Sequence, residues 1–181
     1  MIVYAATSDP LPVGQQLPLI QGESTGHQSR TANNDEWSQM EQIIDDLRLP
    51  NEHSRKTCYF ACESLEECSY YKQLQIIDPF TGAPVGPQQI HYYRLEMPNP
   101  TKAVMALIAR GMHHLHEPAV LEELGAEYWR QPQGKWQYFE FLDPHVEVLE
   151  EVEPPDDLSV FGAAAAYSSD ITMAKNRWPE E

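Results

Sequence analysis

The chain has 181 residues, enough for one domain whose core needs no covalent staples. Its 28 acidic and 12 basic side chains give a formal net charge of −16, which argues against phosphate-backbone binding or docking on an anionic membrane as the main task. Hydrophobic residues at 41% are too many for a disordered chain, and no apolar run approaches the roughly 20 residues of a membrane span.

The start, Met1-Ile2-Val3-Tyr4, has no basic region followed by an apolar stretch, so no secretory signal is expected. The expected compartment is a cytoplasm, that of the producing cell or of a host. Residues Ile2 to Ala6 suit a short strand, which Asp9-Pro10-Leu11-Pro12-Val13-Gly14 breaks. From Gln21 to Asn34 the chain is nearly devoid of apolar residues and reads as a mobile loop. Asn34 or Asp35 then caps a helix to about Arg48, with Trp37, Met40, Ile44 and Leu47 at helical spacing.

Lys56 to Cys62 reads as a strand, with Cys58, Phe60 and Cys62 on one face and Thr57, Tyr59 and Ala61 on the other. Ser64 and Glu67 form a capping box that starts a helix at Leu65, running to about Gln73. Leu74 to Ile77 starts a further strand, which the Asp78 to Pro87 turn region ends. Gln89 to Met97 is a strand by its aromatic content. Asn99-Pro100 opens a helix to about Leu115, and Glu117-Pro118 opens another to Trp129. Lys135 to Leu142 and Val146 to Val152 read as the two strands of a hairpin about Asp143-Pro144. The domain is expected to span residues 1–153, and residues 154–181 form an acidic, Ala-rich C-terminal tail with no clear amphipathic period. The expected class is mixed α+β.

Zinc wants four tetrahedral ligands, often as two close pairs, and Cys58, Cys62 and Cys68 with His53 do not offer that spacing. They read as reduced thiols serving as small core hydrophobes, and no metal is expected. His113, His114 and His116 read as histidines near a helix C-terminus. The acidic run from Glu147 to Asp157 reads as a solvated sheet edge and linker. No phosphate-binding loop, dinucleotide fingerprint, nucleophile elbow or zinc-protease motif occurs.

Several pieces in order are more specific. The strand Val3-Tyr4-Ala5-Ala6-Thr7 leads into a Pro-Leu-Pro-Val-Gly turn. Ser54-Arg55 precedes Cys58-Tyr59-Phe60-Ala61 and the helix carrying Tyr70-Tyr71. Ala126-Glu127-Tyr128-Trp129 precedes Trp136-Gln137-Tyr138-Phe139-Glu140-Phe141-Leu142. Over roughly Ile2 to Val152 this series resembles small bacterial and phage members of the ADP-ribosyltransferase-like superfamily.

The resemblance implies a split, mixed β-structure flanked by helices, with a cleft that grips NAD as substrate. It implies that Glu140 is the late catalytic glutamate, stabilising the oxocarbenium-like charge that builds as the nicotinamide–ribose bond breaks. It implies Ser54 as the second catalytic residue and Arg55 as a phosphate contact. Tyr4, Thr7 and Tyr138 would line the cofactor site, and Tyr70 or Tyr71 would stack on nicotinamide. The chain departs from the pattern at Ala5, where the family carries Arg or His, so either another residue, such as His27 or Arg30, serves instead, or the chain no longer turns over NAD. Tyr138, two residues before Glu140, is also not the Glu or Gln of arginine-directed members.

Two functions follow. One is an NAD-dependent ADP-ribosyltransferase modifying a protein target, as a bacterial effector, toxin or phage anti-host factor. The alternative is a non-catalytic acidic binding protein or inhibitor that keeps the fold and docks on a basic partner surface.

Overall fold

The computed structural model describes residues 1–20, 22–24, 28, 35–76, 89–130 and 136–180. Strand β1 (Ile2–Thr7) leads to a small hairpin, β2 (Leu19–Ile20) and β3 (Glu23–Ser24), turned about Gly22 at a φ of +85°. Helix α1 (Asp35–Asp46) follows because Met40 and Ile44, four residues apart, bury one stripe. Strand β4 (Tyr59–Ala61) then leads into α2 (Leu65–Ile76). The α2 start is a reciprocal cap: the Glu67 amide donates to Ser64 Oγ at 3.2 Å, and the Ser64 amide donates to Glu67 Oε2 at 3.3 Å.

Next come β5 (His91–Glu96), β6 (Thr101–Val104), α3 (Met105–Gly111) and α4 (Pro118–Trp129), which begins on a proline whose missing N–H costs nothing there. Strands β7 (Phe139–Asp143) and β8 (Glu147–Val152) precede the last helix, α5 (Asp157–Arg177). The chain is thus mixed α+β, as its alternating signals imply.

Two antiparallel three-stranded sheets run β1-β5-β8 and β4-β7-β6. They are joined where the Tyr4 and Cys62 backbones exchange two hydrogen bonds, of 2.9 and 2.8 Å. On β1, Val3 and Ala5 pack into a cluster with Tyr93, Leu95, Phe141 and Val148, whereas Tyr4 and Ala6 face the opposite side, toward α2. Strand β4 alternates likewise, with Tyr59 and Ala61 in that cluster and Phe60 against the helical core of α1, α3 and α4. Gly125 lets α4 lie close on α1, since a Cβ there would meet Leu47 Cδ1 at 2.8 Å.

Several expected elements take another form. Residues Leu74 to Ile76 continue α2 and form no strand, because nothing breaks the helix there. The Asn99 helix is instead strand β6 followed by the shorter α3. Thr101 and Ala103 are buried and Lys102 is exposed, a period of two, and β7 offers a partner edge. Asn99 donates its backbone amide to Asp143 Oδ2 at 2.7 Å, and a strand rather than a helix follows it. Strands β7 and β8 do not form a hairpin. Asp143 holds the His145 and Asn99 amides, and the chain crosses there from one sheet to the other. Residues Trp136 to Tyr138 precede β7 rather than belonging to it, because the Gln137 and Tyr138 amides bond the Asp170 carboxylate. The outer edge of β8 is not a bare solvated edge: Gly14 and Leu17 donate to the Val148 and Val146 carbonyls at 2.7 and 2.8 Å. The loop expected at Gln21 to Asn34 lies largely outside the described residues, as does the Asp78 to Pro87 turn region.

Beyond Val152, helix α5 packs on α2 and α3. Its Tyr167 meets Tyr138 and Tyr70 edge-on, at 5.1 and 5.8 Å between ring centroids. Its far end is anchored by Trp178, whose carbonyl accepts from Arg110 Nε at 2.8 Å and whose ring N–H donates to Glu123 at 3.1 Å.

Candidate functional site

Glu140 stands on β7, beside β6, with its side chain directed into the helical side of the sheet. It is 4% exposed. A buried carboxylate survives only where cations or donors replace water, and two side chains, Arg55 and Tyr128, do so here. Arg55 Nη1 donates to Glu140 Oε1 at 2.7 Å, and the Tyr128 hydroxyl of α4 donates to the same oxygen at 2.7 Å. The Arg55 Nη1 also donates to the Tyr128 hydroxyl oxygen, and its Nη2 approaches Glu41 of α1 at 3.3 Å.

The guanidinium lies 4.6 Å from the Phe60 ring centroid and 5.1 Å from that of Tyr128. Burial works to lower the Arg55 pKa, but the charges of Glu140 and Glu41 and the Tyr128 phenol overcome it and hold it above its ordinary value. Burial likewise pushes the Tyr128 phenol upward, so it stays a donor.

Chemically, this arrangement fixes Glu140. One of its oxygens takes two strong donors, and the cation that balances it is internal.

The second expected catalytic residue is turned elsewhere. Ser54 Oγ donates to Asp45 Oδ2 at 2.9 Å, and the Arg55 amide donates to Asp45 Oδ1 at 2.8 Å, so the pair ties the β4 approach to the end of α1. Ser54 is linked to Glu140 through Arg55, whose amide shares Asp45 with Ser54 and whose guanidinium meets Glu140.

Ala5 packs with Val3, Ala61 and Phe141 on the face of the sheet opposite Tyr4. Thr7 donates to the Asp9 carbonyl at 2.7 Å in the turn after β1. Tyr70, Tyr71 and Tyr138 do come together, with Tyr4, in one cluster beneath α2 and α5. Tyr138 is fully buried, its hydroxyl donates to the Glu67 carbonyl, and burial pushes its phenol pKa upward. Tyr4 lines the floor of a surface cleft. His27 and Arg30 lie outside the described residues.

The three cysteines are buried and free. Burial pushes the Cys58 and Cys68 thiols up to about 12 and Cys62 upward as well, which leaves them protonated and unreactive at neutral pH. Among the described residues no three His, Cys, Asp or Glu side chains are grouped to hold a metal ion. His53 faces the Asn99 carbonyl at 3.0 Å, and His114 lies between Glu117 and the Trp178 carbonyl.

Sequence reasoning missed two residues of the Glu140 network. Tyr128 sits in a helix whose pattern is apolar, and Glu41 looks like an ordinary charge on α1. The available signal was their placement: Glu41 follows Met40 on the buried stripe, and Tyr128 falls seven residues after Leu121. No family model matches this chain, and no curated protein matches it.

Proposed function

We propose that the protein is a non-catalytic acidic binding protein that docks on a basic partner surface. The observation that carries this reading is the internal pairing of Glu140 with Arg55 and Tyr128. A transferase of the kind the sequence resembles needs that carboxylate facing the nicotinamide ribose, and here its charge is already spent. Ala5 supports the same reading, since it supplies no cation and faces the apolar cluster.

The two-part sheet, joined at Tyr4 and Cys62, favours kinship in fold with the ADP-ribosyltransferase-like superfamily. On this reading the fold persists and the chemistry is gone. What remains is a chain of net charge −16, whose long-range field attracts basic surfaces and speeds encounter with them.

Two measurements test it. Nicotinamide release from labelled NAD, with cell lysate as a source of acceptors, is expected to stay at the level of lysate alone. Release that scales with added protein would overturn the non-catalytic reading. Titration with a labelled basic peptide is expected to give binding that weakens steeply with salt, and binding indifferent to salt would count against docking by charge.

A further inference from the structure

Across the β1-β5-β8 sheet, Tyr4 pairs with Arg94 and Arg94 pairs with Glu150, so the three stand side by side on the face that looks toward α2. They form the floor of a cleft of about 580 Å³, with Val152 on the same face and the start of α2 as its wall. That wall contributes Glu63 and Glu66, and Leu65 adds apolar surface. Three carboxylates against one guanidinium leave the cleft with a net charge of −2.

The charged groups around it are only partly used. Arg94 Nε lies 2.7 Å from Glu150 Oε1, with both side chains about half exposed. Glu63 has Lys102 no nearer than 3.9 Å, and that lysine sits over the Phe139 ring at 4.0 Å. Glu66 forms no ion pair among the described residues. The cleft therefore already seats one guanidinium and keeps two further carboxylates beside an aromatic ring and an aliphatic wall.

We propose that this cleft takes an arginine side chain of the basic partner. An arginine matches each part of the lining. Its planar, weakly hydrated guanidinium suits a tyrosine ring and a pair of carboxylates, and its aliphatic stem suits Leu65 and Val152. Arg94 beside Glu150 shows a guanidinium held next to a carboxylate here by charge, since its Nε makes no hydrogen bond. The inference rests on the acidic-docking reading and gives it a location.

The test uses the full chain and a fluorescent hexa-arginine peptide at low ionic strength, with hexa-lysine as the comparison. Glu63→Gln with Glu66→Gln is compared with a control pair, Glu122→Gln with Asp46→Asn, which removes the same charge at exposed positions that do not line the cleft. The cleft pair is expected to weaken hexa-arginine binding about fivefold, for two partly exposed ion pairs. The control pair is expected to cost less than about twofold, because distant exposed charges are screened. Hexa-arginine is expected to bind more tightly than hexa-lysine. Equal losses from the two pairs, or no preference for arginine, overturn the cleft and leave docking by general charge standing. No salt-sensitive binding by the unaltered protein overturns the docking reading itself. Circular dichroism of both variants, expected to match the parent, excludes loss of fold as the cause.

Discussion

Two arginine–glutamate pairs in this protein have the same separation and opposite meanings. Arg55 and Glu140 meet at 2.7 Å with side chains 3% and 5% exposed, and Arg94 and Glu150 meet at 2.7 Å with side chains 42% and 51% exposed. Distance does not distinguish them. The buried pair has exchanged water for Tyr128, Glu41 and the Phe60 ring, so removing Arg55 strands two carboxylates in low dielectric. The exposed pair is screened, competes with solvent, and can be traded for another guanidinium. An internal charge pair is committed to structure, whereas a surface pair remains open to a ligand.

The sharpest way to break this contrast is to remove the buried cation. Arg55→Ala leaves Glu140 and Glu41 uncompensated and is expected to cost about 3–5 kcal/mol in urea unfolding. A loss below about 1 kcal/mol would mean that water reaches the network and that Glu140 is freer than its burial implies. Replacing Arg55, Glu140 and Glu41 together by apolar residues of similar volume is expected to recover much of that loss, because no lone charge is then left behind.

Asp170 extends the comparison to a carboxylate with backbone partners and, among the described residues, no cation. It is buried on α5 and accepts the Gln137 and Tyr138 amides at 3.0 and 2.8 Å. Asp170→Asn is expected to cost about 1–3 kcal/mol, since an amide oxygen replaces a charged acceptor. Burial raises the Asp170 pKa, although those two amides oppose the shift. A carboxyl whose folded pKa is raised binds its proton more tightly folded than unfolded. Its contribution is therefore fully present below the unfolded value and is lost as pH rises through the folded one. The stability of the parent relative to Asp170→Asn is thus expected to increase on acidification from the raised value down to the ordinary Asp range. A difference independent of pH across that window would contradict the assignment.

The smallest effect belongs to the surface pair. Arg94→Ala is expected to change unfolding stability by about 0–1 kcal/mol, measured in the same urea titration. A larger loss would show that Arg94 supports the sheet in the way that Arg55 supports the core, and the distinction between the two pairs would fail.

Local signals in this chain were legible wherever one element could satisfy them alone. The spacing of Met40 and Ile44, the Ser64–Glu67 cap, the proline start of α4 and the alternation along β4 all correspond to observed geometry. Thr101 to Val104 were harder, since four residues after an Asn-Pro pair fit a first helical turn as readily as a strand. The partner edge on β7 decided between them. Helix α5 gave little amphipathic signal because its buried side is built from small residues and a few anchors, Tyr167, Asp170 and Trp178, whose partners lie on other elements.

Composition and local pattern alone determined the acidic character, the mixed α+β class and the starts of several helices, because those depend on residues near one another in the chain. The state of Glu140 was decided only by tertiary structure. Its balancing arginine is 85 positions away and its second donor lies on helix α4. Alternation along β7 tells which residues share a face, but whether helices cover that face, and whether a cation waits beneath them, depends on how distant segments pack.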